Sequence, residues 1–324
     1  ILGSSVQIPY FFAYSNNKDF TFKPTLFDSK IRMIQTEYRQ ENKNSSFISD
    51  FNLIQNYKSS LDNKKNSITH FFSKYISDID LNNFTKSELK INIEKVSNDT
   101  YLKIFDSNIH ESPVKPNNFN TLKSEINLDL EKENFNLLTG IISYENLQKI
   151  SSDRYEYVLP YYNFSTNIFP NKFSSIELIS DGSNNLSNTN NLKTSIINDL
   201  NINFNDNINE NYGLKNNFNL YFKNLNTLGK NDPKYKDSPQ SKISSMFDIR
   251  TSLPLEKIDD KYNYSLIPQI SLRVSPFNMK NYSTADRDIN TDNIFNNNRL
   301  GFNDTFEEGA SLTMGINYEK QNLQ

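Results

Sequence analysis

Leu122-Lys123-Ser124-Glu125-Ile126-Asn127-Leu128-Asp129-Leu130-Glu131 is the stretch that decides the fold. Leu122, Ser124, Ile126, Leu128 and Leu130 alternate with Lys123, Glu125, Asn127, Asp129 and Glu131, a two-faced strand long enough to cross a bilayer at the tilt barrels use. At 100° per residue the same Leu and Ile side chains would scatter around a helix, so a helical reading fails.

The period-two pattern recurs along the chain. Leu89, Ile91 and Ile93 oppose Glu88, Lys90, Asn92 and Glu94. Ile196, Leu200, Ile202 and Phe204 oppose Asp199, Asn201 and Asn203. Near the end, Tyr262, Tyr264, Leu266, Ile270, Leu272 and Val274 form one face, as do Leu312, Met314, Ile316 and Tyr318. Polar turns separate about fifteen such segments: 6–14, 19–28, 31–42, 45–57, 67–80, 86–98, 119–134, 135–150, 155–168, 171–184, 191–206, 212–228, 242–258, 262–277 and 308–321. Short links such as Asp28-Ser29-Lys30 are expected to be periplasmic turns. The longer ones, 99–118, 229–241 and 278–307, are expected to be outer loops. Each apolar set should face outward, forming one belt.

Composition agrees with a membrane barrel. The 324 residues are 35% hydrophobic, with a net charge of -3 and a mean hydropathy of -0.69, too polar to bury two soluble cores. A barrel tolerates this because every second residue faces a wet lumen. Its 24 Phe and 18 Tyr suit the two interfacial girdles, and the missing Trp, with abundant Asn, Lys, Ile and Phe, points to an AT-rich genome. No run approaches the roughly 18 apolar residues of a membrane-spanning helix. The absence of an initiator Met and signal segment suggests that the chain begins inside a larger protein. Zero Cys excludes disulfides and thiolate metal sites within these residues.

Nothing argues for catalysis, a metal or a cofactor. His70 and His110 lack partners at metal-ligand spacing and read as solvated side chains. With eight Gly there is little room for a phosphate loop or a nucleophile elbow. The prolines say more. Pro9 and Pro24 fall within the first two strand segments, where a residue without an N–H weakens a ladder. The alternative is that strand 1 is simply bulged there, or that Pro9 faces a connection from an upstream domain.

Several segments in order resemble the barrel region of the lipopolysaccharide-assembly family, LptD. Ile8-Pro9-Tyr10-Phe11-Phe12, Asp19-Phe20-Thr21-Phe22-Lys23-Pro24 and Glu37-Tyr38-Arg39 are similar to the family's entry from its periplasmic domain into the first strands. Ile91 to Leu102, ending Val96-Ser97-Asn98-Asp99-Thr100-Tyr101-Leu102, resembles a strand with a "V-S-D-x-x-Y-L/F" end. Tyr144-Glu145-Asn146-Leu147 and Tyr157-Val158-Leu159-Pro160 match a tyrosine strand with its "L-P" return. Asp292 to Asp304, with Glu308-Gly309 and Met314-Gly315-Ile316-Asn317-Tyr318, resembles the family's "D-x-N-L-F-x-x-N-R-F-x-G-x-D-R" loop and next strand, although Thr305 stands where Arg is usual.

The resemblance implies an all-β transmembrane antiparallel β-barrel in the outer membrane of a Gram-negative bacterium. Residues 1–324 would supply about the first 15 strands of a very large barrel of near 26. A periplasmic jellyroll would precede them and the second barrel half would follow. It implies transport of lipopolysaccharide into the outer leaflet, with sugars crossing the lumen and leaving through a lateral gate at Pro9 and Pro24. Implied partners are an LptE-like lipoprotein plug, an LptA-like periplasmic bridge, lipopolysaccharide and outer-membrane lipid, with no nucleic acid and no enzymatic step. The alternative is another large outer-membrane barrel, a porin or a plugged uptake receptor.

Overall fold

The computed structural model describes residues 2–58, 65–150, 153–168, 173–277 and 287–323. The chain is all-β, one large antiparallel sheet of 18 strand elements that is not closed. In order these are β1 (Ser5–Gln7), β2 (Tyr10–Ser15), β3 (Lys18–Phe27), β4 (Arg32–Glu41), β5 (Ser45–Lys58), β6 (Lys65–Asp78), β7 (Lys86–Val96), β8 (Thr121–Lys132), β9 (Phe135–Asn146), β10 (Tyr155–Ile168), β11 (Ser174–Ser187), β12 (Asn191–Phe204), β13 (Asn207–Asn209), β14 (Leu214–Lys230), β15 (Gln240–Ser252), β16 (Leu255–Ile258), β17 (Tyr262–Ser275) and β18 (Gly309–Asn322).

The eighteen elements make fifteen strands, because three are broken in the middle. β1 and β2 both pair with β3, β12 and β13 both pair with β14, and β15 and β16 both pair with β17. The expected segments therefore match the observed strands one for one. Residues 278–286 of the longest expected loop, and 171–172 at the start of one expected strand, lie outside the described residues.

The chain divides into two compact units: Ile1–Asn163 with Ser183–Thr194 and Gly229–Asp237, and Phe164–Gly182 with Ser195–Leu228 and Ser238–Gln324. In the first unit, cross-strand register sorts the residues by face. Gln35, Asn52 and His70 stand in one row across β4, β5 and β6, and Glu37, Asp50 and Phe72 stand in the next row on the same face. The opposite face carries Phe51 paired with Phe71, and Ile91, Ile126 and Ile141 in line across β7, β8 and β9. Phe51, Phe71, Ile126 and Ile141 are exposed, whereas Gln35, Asp50, Asn52 and His70 are buried. A soluble β-protein does the reverse, since burial of apolar area is its main driving force.

One expected belt residue departs from this. Leu122 is buried, in a cluster with Val114, Val96 and Leu147, while Ile126 on the same strand stays exposed. Strand periodicity fixes the parity of a side chain. It cannot show which others that side chain will be buried among.

The second unit repeats the arrangement. Tyr221 faces Met246, Asn219 faces Asp248, Asp248 faces Arg273, and Ser271 faces Thr313, all on one largely buried face. Phe218, Phe222, Leu266, Leu272, Leu312 and Met314 are exposed on the other.

Candidate functional site

Pro9 and Pro24 lie across from one another at the edge of the first unit, offset by one residue. Gln7 stands opposite Thr25 and Tyr10 opposite Phe22, so the register runs unshifted through the gap at Ile8 and Pro9. Pro9 therefore opposes Lys23, and Ile8 opposes Pro24. Ile8 N–H donates to the Pro24 carbonyl at 3.2 Å, and Asp28 N–H to the Ser4 carbonyl at 3.0 Å. In an antiparallel pair the hydrogen-bonded positions alternate, and each exchanges two bonds. Pro24 cannot return the second, so the Ile8 carbonyl loses its ladder donor.

Pro9 occupies the intervening position, so its nitrogen faces away from β3. It subtracts a donor from the free edge of the sheet, not from the first hairpin. The two prolines thus act on two different ladders. All residues of β1 and β2 are exposed, among them Tyr10, Phe11 and Phe12, and so is Ile8 between the two.

Behind this edge the polar face of the first unit is filled at one end by residues 97–120. Asn98 Oδ1 accepts from the Thr100 N–H at 3.0 Å and from its hydroxyl at 2.7 Å, which starts a short helix, α1 (Tyr101–Phe105). Tyr101, Leu102 and Phe105, at i, i+1 and i+4, share one side of that helix and are fully buried with Ile109. They pack against Phe27, Ile31, Met33, Ile54, Ile68 and Phe72. Each such side chain contributes about 1.5–3 kcal/mol by burial. The expected outer loop at 99–118 is thus a plug docked on the polar face of the sheet. Because it touches Phe27 and Ile31, it sits at the same end of the strands as Asp28-Ser29-Lys30, not opposite to them.

The plug meets a polar network. Gln35 Nε2 donates to Asp50 Oδ2 at 2.8 Å, His70 Nε2 lies 3.2 Å from Asp50 Oδ1, His70 Nδ1 is 2.6 Å from the Tyr101 hydroxyl, and Asn52 Nδ2 donates to that hydroxyl at 2.7 Å. Asp50 and His70 side chains have no exposure at all. The expectation of a solvated His70 is therefore wrong: its partners come from β5 and from the plug, too distant in sequence for spacing to reveal. His110 is exposed, with Nδ1 2.7 Å from the Ser107 carbonyl, as expected. Burial holds the Tyr101 hydroxyl well above the ordinary phenol range, so it stays a neutral link. Arg154 ties the start of the plug down, 2.7 Å from Asp99 and 2.7 Å from Glu145.

The second unit has its own inward segment. Glu307 bridges Arg273 at 3.1 Å and Arg299 at 2.5 Å, Arg250 Nη2 donates to the Phe295 carbonyl at 2.5 Å, and Asn297 bonds the Tyr221 hydroxyl. Phe302 is buried. Described residues 287–307 of this expected outer loop therefore also lie on the polar face.

Among the described residues no group of three or more His, Cys, Asp or Glu side chains could hold a metal ion, and no helix is long and apolar enough to cross a membrane. No protein-family model matches the sequence, and comparison with curated proteins finds no significant relative.

Proposed function

We propose that this chain is part of an outer-membrane barrel that carries lipopolysaccharide to the outer leaflet, with the Pro9 and Pro24 edge as the lateral gate. The observation that carries the reading is the arrangement of the sheet: apolar side chains are exposed on one face, and the other buries charged and amide side chains beside the apolar cluster of Phe27, Met33, Ile54 and Phe72. Such a wall suits lipid on its outside and a hydrated saccharide on its inside. An acyl chain cannot remain on the polar side and needs an opening. An edge strand without a donor at Pro9, held by a hairpin short of one bond at Pro24, supplies a seam that separates easily. The in-chain plugs would narrow the lumen beside an LptE-like lipoprotein, with an LptA-like bridge delivering cargo from below.

The test is the double substitution Pro9→Ala with Pro24→Ala in the whole protein. The barrel should assemble, and lipopolysaccharide should reach the surface more slowly, read by surface labelling and by sensitivity to large antibiotics. Pro160→Ala, on β10 of the same unit, should have a smaller effect. Normal delivery by a correctly inserted double variant would remove the gate assignment.

A further inference from the structure

The second unit carries a copy of the proline device. Ser252 stands opposite Gln269 and Leu255 opposite Leu266, so Leu253-Pro254 interrupts the strand opposite Ile267-Pro268, as Ile8-Pro9 does opposite Lys23-Pro24. Leu253 N–H donates to the Pro268 carbonyl at 3.0 Å, and Pro268 has no N–H to return. This pair lies inside the sheet, between β15 with β16 and β17, where it opens no edge. Instead a groove of about 600 Å³ lies along it, lined by Leu214, Leu253, Pro268, Ile270, Met314 and Ile316 with no charged side chain.

Cross-strand register extends the groove's face in one direction. Pro268 faces Ile316, Leu266 faces Tyr318 and Leu255, and Tyr264 faces Lys320 and Lys257. All these residues share parity, so they lie on the exposed apolar face. Lys320 Nζ stands 3.7 Å from the Tyr262 ring centroid and 5.4 Å from that of Tyr264. Lys257 and Lys320 are exposed. Glu256 and Glu319 both face Ser265 on the other side. Asp259 accepts from the N–H groups of Lys261 and Tyr262 in the hairpin turn and from the Tyr264 side chain, and its carboxylate also acts on Lys257. From Pro268 to Tyr264 is four residues, about 13 Å along a strand.

We propose that this groove and the lysine pair above it form one binding site for an anionic phospholipid, with an acyl chain against Pro268 and Met314 and the phosphate at Lys257 and Lys320. Charge complementarity selects the occupant. An uncharged apolar groove takes the chain, and two exposed lysines on either side of Tyr264 in the register stand one headgroup-to-tail span away. The site rests on the membrane reading above, because its face must meet lipid.

The experiment reconstitutes the whole protein in phosphatidylcholine bilayers containing a minority of phosphatidylglycerol and measures co-purifying lipid by native mass spectrometry after mild detergent extraction. Phosphatidylglycerol should be enriched about tenfold to thirtyfold over its bulk share, the size expected of two lysines at an anionic surface. Lys257→Gln with Lys320→Gln should abolish the enrichment. Lys215→Gln with Lys242→Gln, the same charge change elsewhere in the unit, should not. Met314→Trp, filling the groove, should lower retention of both lipids. Equal retention of the two lipids by the wild type, or enrichment that survives Lys257→Gln with Lys320→Gln, overturns the proposal while leaving the membrane reading intact. Displacement of phosphatidylglycerol by inorganic phosphate alone would reduce the site to a simple anion site and overturn the acyl-chain half. Failure of the protein to resist carbonate extraction from the bilayer would overturn both readings.

Discussion

Ile8 donates its N–H to the Pro24 carbonyl at 3.2 Å and receives nothing in return. One hydrogen bond in place of two marks the first hairpin, and the alternation of bonded and non-bonded positions turns the Pro9 nitrogen to the opposite side, the free edge. The two prolines are therefore separable by experiment.

Pro24→Ala supplies the missing donor to Ile8 and should stabilise the first hairpin by about 0.5–1.5 kcal/mol. Hydrogen–deuterium exchange at residues 5–27 should slow. Pro9→Ala should leave exchange of that hairpin unchanged, because its new N–H points away from β3. Equal slowing by both changes would contradict the register.

Tyr101→Phe removes the hydroxyl shared by Asn52 and His70 and strands two buried polar groups, at a cost of about 1–3 kcal/mol. It should also change the alkaline behaviour. Burial raises the hydroxyl's pKa above its unfolded value of 10.0, so its contribution is complete below about pH 10 and is lost as pH rises from there toward the folded value. Protease access to residues 97–120 of the wild type should increase above pH 10. In Tyr101→Phe that part of the pH dependence should vanish.

Glu307 holds two arginines, and Arg273 is buried. Glu307→Gln leaves those charges without their carboxylate, and removing one partner of a buried pair costs about 3–5 kcal/mol. The expected result is cleavage of residues 287–307 by trypsin at concentrations that leave the wild type intact, with strand content by circular dichroism preserved.

Gly140 is a strand glycine because a Cβ there would lie 2.3 Å from the Ile126 carbonyl and 2.9 Å from the Asn127 Cβ. Gly140→Ala must push β8 and β9 apart, costing about 1–3 kcal/mol. Lower thermal stability of the assembled protein, measured by loss of heat-resistant electrophoretic mobility, would show it, and Ser143→Ala on the same strand should serve as a neutral comparison.

Alternation alone specified the strands. Leu122 to Glu131, like the segments at 89–94 and 312–318, has only one arrangement that separates its apolar from its charged side chains, and that arrangement is a strand. The fifteen segments, the polar and apolar faces and the positions of Pro9 and Pro24 in the first two strands were legible for that reason, since each depends only on neighbours along the chain.

Tertiary structure decided what depends on residues brought together from far apart. The connections 99–118 and 278–307 read as outer loops, and only the cluster of Tyr101, Phe105, Met33 and Phe72, and the Glu307 bridge to Arg273, draw 99–118 and the described residues 287–307 onto the polar face. His70 looked solvated because Asp50 and Tyr101, its partners, stand 20 and 31 residues away, reachable only across β5 and the plug. Leu122 kept its strand parity but is buried in the cluster that holds Val96, Val114 and Leu147. The Leu253-Pro254 and Ile267-Pro268 pair became visible only with the register, because two prolines fourteen residues apart carry no signal until pairing sets them across one ladder. Period-two patterning encodes direction relative to a sheet, whereas burial of a given side chain depends on which distant segment comes to cover it.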